Sequence, residues 1–364
     1  MKKIYIIGID HVVSKTTYLY EYIKNKNVEV SYFTSDISEF SKKATKHNII
    51  FLNYGRILSI FKILFFLICR RPCHVELYFS RIYFETFPAL IFCKFLFIPV
   101  SLVSRGKDLR DHHEHRYIRK VLTKFICRNV NLILPKENSH VETLKTFNIS
   151  PKITIHEIHN GIPIKNFEEN KFTSNDINFL FLNAFRKLRN VDVLIKAFSL
   201  VNKKYPKSKL FLVGSSLDIN FLPQEKEHEE GLLALIKKLE LKSAVEVFPF
   251  SPNPWKNLKG SIGFILPADV VWLNNALLEA MAYSIPPIIS NVERASDIIK
   301  NNEEGLLIKR DEKALSNAMI FLIENPKKAK SMGEMARKKV ISNFSSERVG
   351  REIFQIYKEK LWKS

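Results

Sequence analysis

Short runs rich in β-branched and aromatic residues alternate with longer helical stretches along nearly all of this 364-residue chain. This alternation constrains the fold more than any other feature, because strand–helix–strand units build parallel sheets with helices on both faces. In the first half the spacing predicts strands over 3–8, 28–33, 49–52, 75–79, 100–104 and 131–135, with helices over 16–25 and 117–127 among them. The strands are almost continuously apolar, as burial on both faces requires. A second series predicts strands over 177–182, 209–214, 245–248, 262–267 and 287–290. Helices over 191–203, 231–239 and 275–283 lie between them, and two more start at 312 and 326.

The two series meet between His156 and Phe167, where Asn160-Gly161 and Pro163 are turn signals and residues 168–176 are polar. A chain of this length exceeds the usual size of one domain. Two sequential Rossmann-like halves with a cleft between them are therefore expected, with the boundary near 160–175.

Hydrophobic residues make up 46% and charged residues 26% of the chain, which excludes a disordered polypeptide. Charge is the unusual term: 57 Lys and Arg against 37 Asp and Glu give a net +20. Such an excess points to an anionic partner, which leaves nucleic acid, a phosphorylated substrate or acidic lipid. Residues 56–128 hold 14 basic and 5 acidic residues, interleaved with Phe, Leu and Ile as in RILSIFKILFFLICRR. Basic side chains around an apolar face describe either an interfacial surface or a core helix whose Lys and Arg reach out to water. No recognition motif for nucleic acid accompanies the charge.

Two stretches approach membrane-span character. Residues 57–68 are too short and interrupted by Lys62; residues 82–103 are divided by Glu85, Pro88, Lys94 and Pro99. The second reads as a buried helix followed by a buried strand. The apolar run Ile4–Ile9 ends at Asp10 and is too short for a signal peptide. Cys69, Cys73, Cys93 and Cys127 form no CxxC pair, so a reducing cytoplasm is favoured.

The second half carries an ordered set of motifs: NGIPIKNF (160–167), FLNAFRKLRNVDVLIKAF (181–198), KLFLVGSS (209–216), ALLEAMAYSIPPIISN (276–291), EEGLLIKRDEKALSNAM (303–319) and FSSERVGREIFQIY (344–357). Together they resemble the retaining GT-B glycosyltransferases of the group 1, or family 4, type. In the first half VSLVSRGKDL (100–109) and the stretch 131–149 match that family more loosely. The resemblance implies an α/β fold of GT-B type, two Rossmann-like doubly wound parallel-sheet domains facing across a cleft. The first would cover 1–160 together with a returning helix in 345–364, and the second 161–344. It also implies transfer of a sugar from a nucleotide-diphosphate donor to a lipid-linked or polysaccharide acceptor, with retention and without a metal or other cofactor.

Breaking a glycosidic bond to a diphosphate releases negative charge that fixed cations or amides must stabilise. Arg186, Lys187 and Arg189 follow the strand over 177–182, at the carboxyl edge where open α/β sheets bind ligands. Arginine suits bidentate phosphate contact. Glu279 interrupts the apolar run ALLEAMA, so it needs a partner or an open face. Asn274 and Asn275 are good helix caps that place backbone amides where a diphosphate could sit. The resemblance assigns Glu279 to the nucleotide ribose and Arg189 to the diphosphate, both as catalytic-site residues, with Gly214 at the donor edge. The chain departs from the family where a first glutamate normally stands eight residues before Glu279: the position is Val271. Ser284 likewise replaces the family's glycine in the Ala-x-Gly-x-Pro element. On the acceptor side Gly8, Arg105, Gly106 and Asp108 end predicted strands. The cluster Asp111–His115 invites a metal, although histidine runs beside acidic residues are mostly solvated.

The leading expectation is a cytoplasmic glycosyltransferase, peripheral on the inner face of the membrane. Its partners would be a nucleotide sugar, the acceptor and the membrane surface, and not nucleic acid. The alternative is a non-catalytic GT-B-fold subunit.

Overall fold

The structure, a computed structural model, describes all residues except 9–12, 35–47, 53–55, 80–82, 105–108, 110–116, 168–176, 216–222, 250–253, 255–259, 272–273 and 363–364. The chain divides into two compact units, Met1–Pro163 with Ser345–Ser364, and Ile164–Phe344.

The first unit is built from β1 (Lys2–Ile7), α1 (Val13–Lys24), β2 (Val28–Thr34), β3 (Asn48–Phe51), α2 (Arg56–Arg70), β4 (His74–Phe79), α3 (Tyr83–Phe95), β5 (Val100–Ser104), α4 (Tyr117–Asn129), β6 (Leu132–Pro135), α5 (Asn138–Lys145) and β7 (Thr154–Ile155). The strands form one parallel sheet in the order β3-β2-β1-β4-β5-β6-β7, so the direction of winding reverses between β1 and β4. Ile4 of β1 lies in register with Val30 on one side and His74 on the other. One face packs α2, α3 and α4 through Ile63, Leu67, Leu90, Cys93, Ile126 and Cys127. The other packs α1 through Leu19, Tyr20 and Ile23. Each such fully buried Leu or Ile side chain contributes about 1.5–3 kcal/mol.

One expectation is corrected here. Within residues 82–103, β5 is buried throughout, but α3 is not a buried helix. The sheet takes only its Ala89, Leu90 and Cys93 side and leaves Ile91 and Phe95 exposed.

The second unit runs β8 (Asn178–Leu182), α6 (Val191–Lys204), β9 (Lys209–Ser215), α7 (Pro223–Lys238), β10 (Val245–Pro249), β11 (Ser261–Leu266), α8 (Asn275–Ala282), β12 (Pro287–Ser290), α9 (Ala295–Ile298), β13 (Leu306–Ile308), α10 (Glu312–Glu324) and α11 (Pro326–Phe344). Its parallel sheet has the order β10-β9-β8-β11-β12-β13, with the reversal between β8 and β11. Helix α7 begins eight residues before its expected start because QEKEHEE, though lacking an apolar stripe, consists mainly of good helix formers. The two sheets and their covering helices are the doubly wound α/β units of a GT-B fold.

The last helix, α12 (Ser346–Lys360), belongs to the first unit. Ser345 caps it by accepting from the Arg348 amide at 3.4 Å, and the Ser346 amide donates to the Ile162 carbonyl at 2.8 Å. Val349, Ile353 and Tyr357 enter the core beside α1. Gly350 permits that approach, since a Cβ there would stand 2.5 Å from the Leu19 carbonyl oxygen. Among the described residues no helix is long and apolar enough to cross a membrane. All four cysteines are free thiols.

Candidate functional site

Open parallel sheets bind ligands outside the carboxyl ends of their strands, where the strand order reverses. In the second unit that place lies between β8 and β11, and the loops leaving these two strands are stitched together. The Asp269 amide donates to the Leu188 carbonyl at 2.9 Å. Asn190 donates its side-chain amide to the Pro267 carbonyl at 2.9 Å and to Asp269 Oδ1 at 2.8 Å. Asn190 itself adopts the left-handed region, φ 51°, which Asn tolerates better than most residues. A single 3-10 turn, Lys187–Arg189, fills the β8 loop before α6 begins.

This turn carries the basic residues. Arg186 and Lys187 are exposed. Arg189 is half-buried, and its Nη1 donates to the Val270 carbonyl at 2.9 Å. Holding a guanidinium by one N–H fixes the plane of its other donors, which is the preorganisation an anion clamp needs. Asp269 also pairs with Arg310, two residues past β13, so two arginines from different loops converge on one short segment after β11. Arg310 was missed in sequence, although its place just past a strand's carboxyl end is the signal that singled out Arg186–Arg189.

Gly214 stands at the end of β9 with φ 122°, and a Cβ there would lie 2.2 Å from the Asn183 carbonyl oxygen. It therefore lets β9 approach the start of the basic loop, whose Asn183 amide donates to the Val213 carbonyl at 3.0 Å.

Helix α8 follows the β11 loop. Asn274 is its N-cap and accepts from the Leu277 amide at 3.1 Å, while Asn275 is the first helical residue. Glu279 lies one turn in and is half-buried, between buried Leu278 and Ala280. Val271 is fully buried, so the position where the resemblance calls for a first glutamate faces the core. Past the helix, Ser284 is in the left-handed region with φ 60°. The Ile285 amide bonds the Ala280 carbonyl at 3.0 Å, closing the helix end in the form that usually takes glycine at this residue.

In the first unit Gly8 directly follows β1 at that sheet's own reversal point. It has φ 89°, and a Cβ would meet the Tyr78 carbonyl oxygen at 2.9 Å. Arg105, Gly106 and Asp108, like the Asp111–His115 cluster, lie outside the described residues. Among the described residues, no group of three His, Cys, Asp or Glu side chains is placed to hold a metal.

A second buried polar group sits in the middle of this sheet. Glu76 on β4 is fully buried and accepts hydrogen bonds from the hydroxyls of Tyr20 and Tyr357, and from Ser101 Oγ at 3.3 Å. Burial pushes its carboxyl from 4.5 up to about 7, and the hydrogen bonds pull against that rise.

Residues 164–339 match the family described as glycosyl transferases, group 1. An N-acetylgalactosaminyltransferase of Campylobacter jejuni, named for the acceptor N-acetylgalactosamine-N,N'-diacetylbacillosaminyl-diphospho-undecaprenol, is 24% identical over 60% of this chain and 58% of its own length. The capsular polysaccharide biosynthesis glycosyltransferase CapM of Staphylococcus aureus is 26% identical over 54% of this chain and 52% of its own length. The chain thus spans little more than half the length of these curated relatives. Among solved structures, Anabaena HepE in complex with UDP and glucose superposes with a TM-score of 0.79 at 13% identity, covering 99% of this chain and 100% of that one.

Proposed function

Because its second unit resembles the group 1 glycosyl transferases, we propose that this chain moves a sugar from a nucleotide-diphosphate donor to a lipid-linked or cell-surface polysaccharide acceptor. Retention of anomeric configuration follows the same resemblance. The observation that carries the proposal is the basic turn Arg186–Arg189 at the reversal point of the sheet that matches the family.

In this scheme the donor's diphosphate lies against Arg186, Lys187 and Arg189, with the start of α8 at Asn274 and Asn275 offering backbone amides. The nucleotide ribose hydroxyls donate to the Glu279 carboxylate. As the glycosidic bond breaks, charge grows on the leaving diphosphate, and the arginines stabilise it without a metal. Gly214 supports the basic turn, and Gly8, Arg105, Gly106 and Asp108 serve the acceptor side. The acceptor class is supported by the names of the relatives, one acting on a diphospho-undecaprenol and one making capsule. A cytoplasmic position at the inner membrane face suits such an acceptor.

A second scheme, a divergent GT-B protein without transfer activity, is favoured by the buried Val271. Release of UDP from a panel of UDP-sugars, followed for the parent chain, Arg189→Ala and Glu279→Ala, separates the two. The proposed transferase turns over at least one donor, and each variant slows it by tenfold or more, the scale of one lost charge-assisted hydrogen bond (about 1.5–3 kcal/mol). Turnover unchanged in both variants would remove the site assignment; a parent chain that binds nucleotide without turnover would support the second scheme.

A further inference from the structure

Helices α2, α3 and α4 lie side by side on one face of the first sheet, and their outer surfaces are apolar. On α2 the inner row is Ser59, Ile63 and Leu67. The opposite row, Ile57, Phe61, Phe65 and Ile68, is 59–68% exposed. An ordinary surface helix would carry polar residues there. On α4 the outer row is Tyr117, Ile118, Val121 and Phe125, and Phe125 meets Phe87 of α3 at a ring distance of 5.6 Å. Phe95 of α3 and Phe97 just past it are 81% and 89% exposed.

Phe97 carries an independent signal. Its φ of 53° places a bulky aromatic in the left-handed region, at a helix end that glycine would fill without strain. The Ile98 amide still closes the helix on the Cys93 carbonyl at 2.8 Å. The fold therefore bears a strain that delivers a phenylalanine ring to solvent and gains nothing by it inside the unit.

Charge decides what covers this face. Arg56, Lys62 and Arg70 lie on α2, Lys94 on α3, and Arg119, Lys120, Lys124 and Arg128 on α4; the only acidic residue in the three helices is Glu85. A second copy would set one basic rim against another, in a chain already at net +20. An anionic bilayer satisfies both parts at once: rings enter the acyl boundary while Lys and Arg meet lipid phosphates. We infer that the outer face of α2, α3 and α4 docks the chain on the surface of a membrane rich in anionic lipid, without spanning it. The inference stands apart from the transfer reaction, since docking needs neither donor nor acceptor.

Co-sedimentation of the full chain with phosphatidylcholine vesicles, with and without one-third phosphatidylglycerol, tests it. The expected result is pelleting on anionic vesicles that weakens as salt rises, and little on neutral ones. Phe61→Ser, Phe65→Ser and Phe95→Ser each lower partitioning by about tenfold or more, and the triple variant no longer pellets. Lys120→Gln with Lys124→Gln lowers partitioning onto anionic vesicles by about 30-fold, at roughly 1 kcal/mol per charge. The three phenylalanines are exposed and the two lysines half-buried, and an unchanged circular dichroism spectrum and melting point confirm that the variants fold. Equal pelleting on neutral vesicles, or no loss in the triple variant, overturns the inference. So does a lipid-free dimer, seen by size exclusion, that the Phe substitutions dissociate.

Discussion

Replacing Ser284 by glycine should stabilise the second unit. Ser284 closes helix α8 with φ 60°, a conformation that costs an L-residue about 1–2 kcal/mol. Its hydroxyl is buried with no hydrogen-bond partner among the described residues, a further cost of about 1–3 kcal/mol. Glycine removes both and forfeits about 0.5–1 kcal/mol through its freer unfolded chain. The net gain is about 2 kcal/mol, or about 4–8 °C in the unfolding midpoint of a unit of this size. Differential scanning calorimetry of the parent, Ser284→Gly and Ser284→Ala reads it directly. Alanine sheds the hydroxyl but keeps the strain, so its midpoint should fall between the other two. The account is refuted if Ser284→Gly melts at or below the parent temperature, because then neither the backbone strain nor the orphaned hydroxyl is real.

Other consequences follow from buried groups. Glu76 has a folded-state pKa near 7 against 4.5 unfolded, so the folded state holds the extra proton between those values. Its contribution is full below about pH 4.5 and lost as pH rises through about 7, some 3 kcal/mol in all by the conversion of about 1.4 kcal/mol per unit. Urea midpoints at pH 5 and pH 8 should show that loss in the parent and not in Glu76→Gln; equal differences in the two proteins would contradict it. Gly214→Ala forces a Cβ against the Asn183 carbonyl at an unfavourable φ and should cost about 2 kcal/mol or more by chemical denaturation. A variant as stable as the parent would show that β9 and the basic loop are not held so close.

Most strands were legible because each is a compact apolar run that the sheet buries, as in KKIYII and SIGFIL. β7 was not, since two residues, one of them exposed, leave no pattern to read. The basic turn could be placed from its position after a strand, and the resemblance marked Ser284 as standing where glycine belongs. What joins the site was hidden: Arg310 reaches Asp269 from 41 positions further along the chain, and local periodicity carries no trace of such a pairing. Glu76 stands in the strand HVELYF, and nothing in that run points to its partners. Its burial depends on Tyr20 and on Tyr357, which returns from 281 residues away on α12. The apolar run of α2 was ambiguous for a different reason: a core helix and a docking helix share the same composition, and only the exposure of Phe61 and Phe65 separates them.

The central claim is that the loops after β8 and β11 form a nucleotide-diphosphate site. Calorimetric titration of the folded chain with UDP and with GDP tests it most directly, alongside the melting temperature at saturation. The account predicts one saturable site for at least one of the two, with about 2.7 kcal/mol of added stability at a hundredfold excess over Kd. Arg189→Ala should weaken that binding by tenfold or more. A folded protein that takes up neither nucleotide and gains no stability from either would contradict the claim.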